Sequence, residues 1–99
     1  MKSVLRVLIV EDSPEDAQLV VREIQRGGYS VAFERVETQA GMEEALSSRV
    51  WDIILSDYSM PIFSAMRALE TLKFSGLDIP FIVVSGTIGE ETADRKSVV

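Results

Sequence analysis

Three observations predict that this chain folds as an α/β domain around a parallel sheet. Short apolar, β-branched runs (Val4 to Val10, Ile53 to Leu55, Phe81 to Val84) alternate with stretches whose apolar residues recur at helical spacing. Each run is followed by enough chain for a helix, the spacing of βαβ units with right-handed crossovers. The same three runs also end in polar groups: Glu11-Asp12, Asp57 and Ser85. A parallel sheet places those three ends on one rim, and in open α/β sheets the carboxyl edge is where ligands bind.

Each element has its own signals. Val4 to Val10 reads as a first buried strand, ended by Glu11-Asp12. Ser13 then caps a helix, with Pro14 in the tolerated first position and Asp16 in the favourable first turn. Ala17, Val20, Val21 and Ile24 give that helix one apolar face, and Gly27-Gly28 stops it through the left-handed conformation open to glycine. Val31 to Val36 is a second strand whose Glu34 and Arg35 suit a sheet edge. Thr38 begins a second helix with Met42, Ala45 and Leu46 as its buried stripe, and Trp51 is expected to pack against it. Ile53-Ile54-Leu55-Ser56-Asp57 reads as a strand buried on both faces, followed by a Met60-Pro61 turn. A helix from about Ala65 to Ser75 buries Ala65, Ala68, Leu69 and Leu72, and Gly76 closes it. Ile79 to Val84 gives the fourth strand, with Pro80 at its start, where a missing N–H is tolerated. Thr87 with Glu90 is a capping-box pattern that predicts a fourth helix near Ile88. Val98-Val99 is expected to add a short strand to a sheet edge.

At 99 residues the chain reads as one domain, residues 1–99. A net charge of −6, with the acidic residues dispersed, argues against nucleic acid or an anionic membrane as direct partner and fits a site that gathers cations. The sequence has no cysteine and no histidine. That removes disulfides, zinc-thiolate sites and the Ser/His and Cys/His nucleophilic machines. The Val4 to Val10 run is far too short to span a membrane and lacks a small-residue cleavage site, so a cytoplasmic location is expected.

Carboxylates meeting at one rim repel one another unless a cation lies among them. With oxygen donors only, the expected ion is hard, Mg²⁺ before Ca²⁺. A carboxylate beside Mg²⁺ is also a nucleophile toward phosphorus, forming an aspartyl phosphate, and Ser85 is placed to hydrogen-bond a phosphate oxygen. Taken singly, Asp57 also reads as a turn or cap residue and Ser85 as a strand-end hydroxyl bonding backbone.

Three stretches together resemble the receiver (response-regulator) domain family of two-component signalling. They are Val7-Leu8-Ile9-Val10-Glu11-Asp12-Ser13-Pro14, Asp52-Ile53-Ile54-Leu55-Ser56-Asp57-Tyr58-Ser59-Met60-Pro61 and Ile79-Pro80-Phe81-Ile82-Val83-Val84-Ser85-Gly86. The resemblance implies that Asp57 is the phosphoacceptor, served by a histidine kinase, a phosphotransfer protein or a small acyl phosphate. It implies that Glu11, Asp12, Asp57 and the backbone carbonyl of Ser59 hold Mg²⁺, Asp12 more directly than Glu11, and that Ser85 is the switch hydroxyl. The implied fold is a flavodoxin-like doubly wound sheet of order 2-1-3-4-5.

The chain departs from the family where a fifth strand, its terminal lysine and a fifth helix are expected. Lys96 lies too early to be that lysine. The expectation is therefore a sheet of order 2-1-3-4 without the fifth strand and helix, in a single receiver domain truncated after the start of its fourth helix. Ser64-Ala65 also stands where many receivers have glycine. An uncovered fourth strand predicts a homodimer through that strand or the C-terminal region. The expected function is a phosphoacceptor module with no independent turnover; the alternative is a phosphorylation-impaired remnant that serves as a dimerisation or docking domain. A phosphatase ranks last, because such chemistry usually wants a second aspartate near the nucleophile and Ser59 is not one.

Overall fold

A computed structural model describes residues 4–57, 63–85 and 97–98. The chain runs β1 (Val4–Val10), α1 (Pro14–Arg26), β2 (Ser30–Val36), α2 (Gln39–Ser48), β3 (Ile53–Asp57), α3 (Ala65–Ser75), β4 (Phe81–Ser85) and β5 (Ser97–Val98). The first four strands are parallel in the order β2-β1-β3-β4, as the resemblance implies.

Alternation along the central strands builds two cores. On one face Leu8, Val10 and Ile54 meet Met42, Ala45 and Leu46 of α2 and Ala68 and Leu72 of α3, with Trp51 and Phe63 filling in. On the other, Val7, Ile9 and Leu55 meet Ala17 and Val21 of α1. Helices on both faces explain why β1 and β3 read as continuous apolar runs rather than alternating ones. β2 lies at the edge, where its charged residues are half-buried. Trp51 packs on α2 as expected, its indole N–H donating to the Ala45 carbonyl at 2.9 Å.

The caps follow the sequence closely. The Ser13 hydroxyl accepts from the Asp16 N–H, Thr38 from Gly41 and Ser64 from Arg67, so each helix has one of its otherwise orphaned donors satisfied. Ser64 thus caps α3. Gly76 takes the left-handed conformation (φ 77°) that ends α3. At α1 the left-handed residue is Gly28 (φ 99°), while Gly27 stays at φ −79° and bonds back to Ile24.

Three details differ from expectation. β4 begins at Phe81 rather than Ile79, because Pro80 has no N–H for the ladder and contributes only its carbonyl, which accepts from Ile54 at 2.9 Å. Leu69 is only half-buried, and Thr71 is buried instead, flanking the Ala68–Leu72 stripe with its hydroxyl bonded to the Arg67 carbonyl at 2.9 Å. The short edge strand comes at Ser97–Val98 and runs antiparallel to β4, pairing Val84 with Val98 and Ser85 with Ser97. It is the only fifth strand among the described residues, and it is not the parallel strand of the complete family sheet. The Met60-Pro61 turn, the fourth helix and Lys96 lie outside the described residues. Among the described residues, no helix is long and apolar enough to cross a membrane.

Candidate functional site

Strand register brings the three polar ends together. Val10 pairs with Ser56, so Glu11 and Asp57 each stand one residue further along neighbouring strands. Asp57 pairs with Val84, which puts Ser85 one step beyond on β4. Asp12 follows Glu11 in the short link to α1, whose cap at Ser13 fixes where that link turns. One carboxylate oxygen from each of Glu11, Asp12 and Asp57 lies within 4.8 Å of the others. Of the site residues named from the sequence, these three are thus gathered. Ser85 has the expected place on the backbone, and Ser59 lies outside the described residues.

The three acids differ in setting. Glu11 is buried at 7 % exposure, Asp57 is half-buried and Asp12 is exposed. The Glu11 carboxylate accepts the Ser13 N–H at 3.1 Å, while its own N–H donates to the Val36 carbonyl at 2.9 Å. Burial pushes its carboxyl up from 4.5 to about 7. The charge of Asp57, a side-chain hydrogen bond with Asp12 and the charge of Asp16 push the same way, against the opposing Ser13 N–H. Burial and the acidic neighbours therefore oppose ionisation of Glu11.

Such a group fits Mg²⁺. It offers only hard oxygen donors, and its charges are crowded enough that a cation lowers their energy. Glu11, Asp12 and Asp57 are the residues that would hold the ion.

Sequence reasoning missed two neighbours. Arg35, read only as an edge-strand charge, turns its guanidinium back over the rim, where Nη1 donates to the Glu11 carbonyl at 3.1 Å and to Glu37 Oε1 at 2.8 Å. Ser13 holds Glu11 as well as capping α1. The Ser13 contact was foreshadowed by its place after the acid pair; nothing in the sequence signalled Arg35, because its reach depends on β2 lying beside β1.

Comparison with known proteins decides the family. Residues 7–97 match the response regulator receiver domain. The chain belongs to that family. Among curated relatives, the cell cycle response regulator CtrA of Brucella ovis is 32 % identical over 93 residues, 92 % of this chain and 38 % of the relative. The cell cycle transcriptional regulator CtrA of Caulobacter vibrioides is 28 % identical over 85 residues, 84 % of this chain and 35 % of the relative. The chain thus spans little more than a third of the length of these relatives. The fold is shared with a CheY-like receiver domain from Methylobacillus flagellatus at TM-score 0.63 and 24 % identity, over 96 % of this chain and 83 % of that one. It is shared too with the MaeR response regulator at TM-score 0.65 and 23 % identity, over 91 % and 73 %.

Proposed function

We propose that this receiver domain takes a phosphoryl group on Asp57 in a two-component relay, with Mg²⁺ held by Glu11, Asp12, Asp57 and the Ser59 carbonyl. The donor is a histidine kinase, a phosphotransfer protein or a small acyl phosphate. The observation that carries this reading is the meeting of the Asp57 carboxylate, at the end of a central strand, with the acid pair at the end of its neighbour. A carboxylate oxygen of Asp57 attacks phosphorus; an O–P bond forms and the P–N bond to the donor imidazole breaks, its electron pair returning to the ring nitrogen. When bound, Mg²⁺ supplies charge that offsets what gathers on the transferred oxygens. Glu11 and Asp12 orient that charge, and Ser85 is the switch hydroxyl that moves to the phosphoryl group. The domain acts stoichiometrically rather than as an enzyme with turnover of its own, and its charge of −6 disfavours direct contact with nucleic acid.

Intact mass after incubation with acetyl phosphate tests this, with and without Mg²⁺ and beside Asp57→Asn. One Mg²⁺-dependent phosphoryl adduct, absent from the variant, is expected; no adduct from a folded, Mg²⁺-bound wild type overturns the reading. MaeR was solved bound to beryllium trifluoride, and the same group is a second probe of Asp57 here.

A second reading, in which the domain also dimerises or docks, is favoured by the β4 side of the sheet. Among the described residues, β4 pairs along its outer edge only at Val84 and Ser85, and Ile53, Ile82 and Val84 are half-buried. Unpaired strand edges and half-covered apolar residues favour association. Sedimentation is expected to show a homodimer through β4 or the C-terminal region, whatever residue stands at position 57; a monodisperse monomer removes this reading.

A further inference from the structure

We infer that Arg35 is a positioning residue for this site, one that holds the peptide between Glu11 and Asp12 and so sets where the acid pair stands. The inference rests on the proposed role of that pair in binding Mg²⁺. The Glu11–Asp12 peptide leaves β1 just past the last paired residue of the strand, where the sheet ladder no longer fixes it by default. Two bonds to β2 tie Glu11 down. Its N–H donates to the Val36 carbonyl at 2.9 Å, and its carbonyl accepts from Arg35 Nη1 at 3.1 Å. The same nitrogen donates to Glu37 at 2.8 Å, so Glu37 also anchors the guanidinium. Arg35 is 30 % exposed and Glu37 52 %, which leaves the guanidinium partly shielded. The Ser13 N–H fixes the Glu11 carboxylate in turn. Backbone and side chain of Glu11 are thus held by separate groups, and Arg35 is the side chain from the neighbouring strand that joins the Val36 carbonyl in holding the backbone.

A cation beside a cation site has two opposed effects, and the opposition makes the inference testable. As a bare charge, Arg35 repels Mg²⁺, so its removal would tighten binding. As a clamp on the Glu11 carbonyl, it preorganises the ligands, so its removal weakens binding; loss of such an outer partner typically costs a metal site at least about tenfold in affinity. We expect the clamp to win. Calorimetric titration with Mg²⁺, thermal unfolding and acetyl phosphate labelling of wild type, Arg35→Met and Arg35→Lys decide the point.

The expected result is an Mg²⁺ dissociation constant about tenfold higher in Arg35→Met. Arg35→Lys, which keeps a donor and the charge, should recover part of the loss. Amide hydrogen exchange at Glu11 and Asp12 should quicken in Arg35→Met alone. An unchanged or tighter affinity in folded Arg35→Met overturns the inference and leaves Arg35 as an ion-pair partner of Glu37, with the functional reading intact. A wild type that neither binds Mg²⁺ nor takes the phosphoryl group overturns the functional reading, and this one with it. Should Arg35→Met not fold, Glu37→Gln carries the test, since it loosens the anchor and leaves the guanidinium in place. A smaller weakening in the same direction is then expected, and none overturns the inference.

Discussion

Two aspartates bracket β3, and their surroundings are opposite in kind. Asp52 precedes the strand and is tied to β1 by the backbone N–H of Arg6 at 2.8 Å and its guanidinium at 3.4 Å; its own N–H donates to the Arg6 carbonyl at 2.8 Å. Those contacts, the backbone N–H foremost, hold its carboxyl below the ordinary 3.8. Asp57 ends the strand among Glu11 and Asp12, in a group where burial drives Glu11 up to about 7. The amino end of the β1–β3 pair holds a carboxylate whose needs are met by the protein itself. The carboxyl end gathers three carboxylates, and there burial and neighbouring charge oppose ionisation of Glu11. Acidity alone does not separate a binding residue from a structural one; the local balance of charge and burial does.

The comparison breaks most sharply at Asp57. Asp57→Asn should abolish acetyl phosphate labelling and weaken Mg²⁺ binding, yet raise the thermal stability of the metal-free protein by removing a charge that opposes Glu11. A metal-free Asp57→Asn protein less stable than wild type would mean that the aspartate is structural, like Asp52.

A second effect, somewhat smaller, lies in pH. Because the folded-state value of Glu11 stands above its ordinary 4.5, its contribution to stability is full below pH 4.5 and declines as pH rises to about 7. Metal-free protein should therefore melt at progressively lower temperature across that window, and Glu11→Gln should flatten the decline. Mg²⁺ should restore the loss, by about 2.7 kcal/mol at a concentration one hundred times its dissociation constant. A metal-free melting profile that is flat between pH 4.5 and 7 would show that the rim carries no such repulsion.

Most of the arrangement behind these predictions was legible in the sequence, for physical reasons. β1 and β3 announced themselves because strands buried on both faces must be apolar throughout, and the acids at their ends broke that pattern abruptly. Ser13, Thr38 and Gly76 marked helix ends because few residues satisfy those backbone groups. What stayed hidden was set by tertiary placement. Arg35 meets the Glu11 carbonyl only after β2 pairs with β1 in one register, a separation of 24 residues that no local pattern encodes. Thr71 was not named in the buried stripe of α3; an internal bond to a carbonyl one turn back lets its hydroxyl be buried without penalty. The Arg6–Asp52 pair was hidden in the same way, 46 residues apart across two strands.

That pair sets the smallest expected effect. Asp52→Asn keeps the shape of the side chain and one acceptor oxygen for the Arg6 N–H, and removes only charge from an exposed contact. Because the folded-state value of Asp52 lies below 3.8, its contribution is present above pH 3.8 and is lost as pH falls through the lowered value. The variant should thus melt slightly below wild type near neutral pH and converge with it in strong acid, a trend opposite in sign to that of Glu11. Mg²⁺ affinity and acetyl phosphate labelling should not move, since Asp52 lies at the far end of β3 from the acid cluster. A change in either at Asp52→Asn would show that the two ends of the strand are coupled, and that the contrast between the two aspartates does not hold.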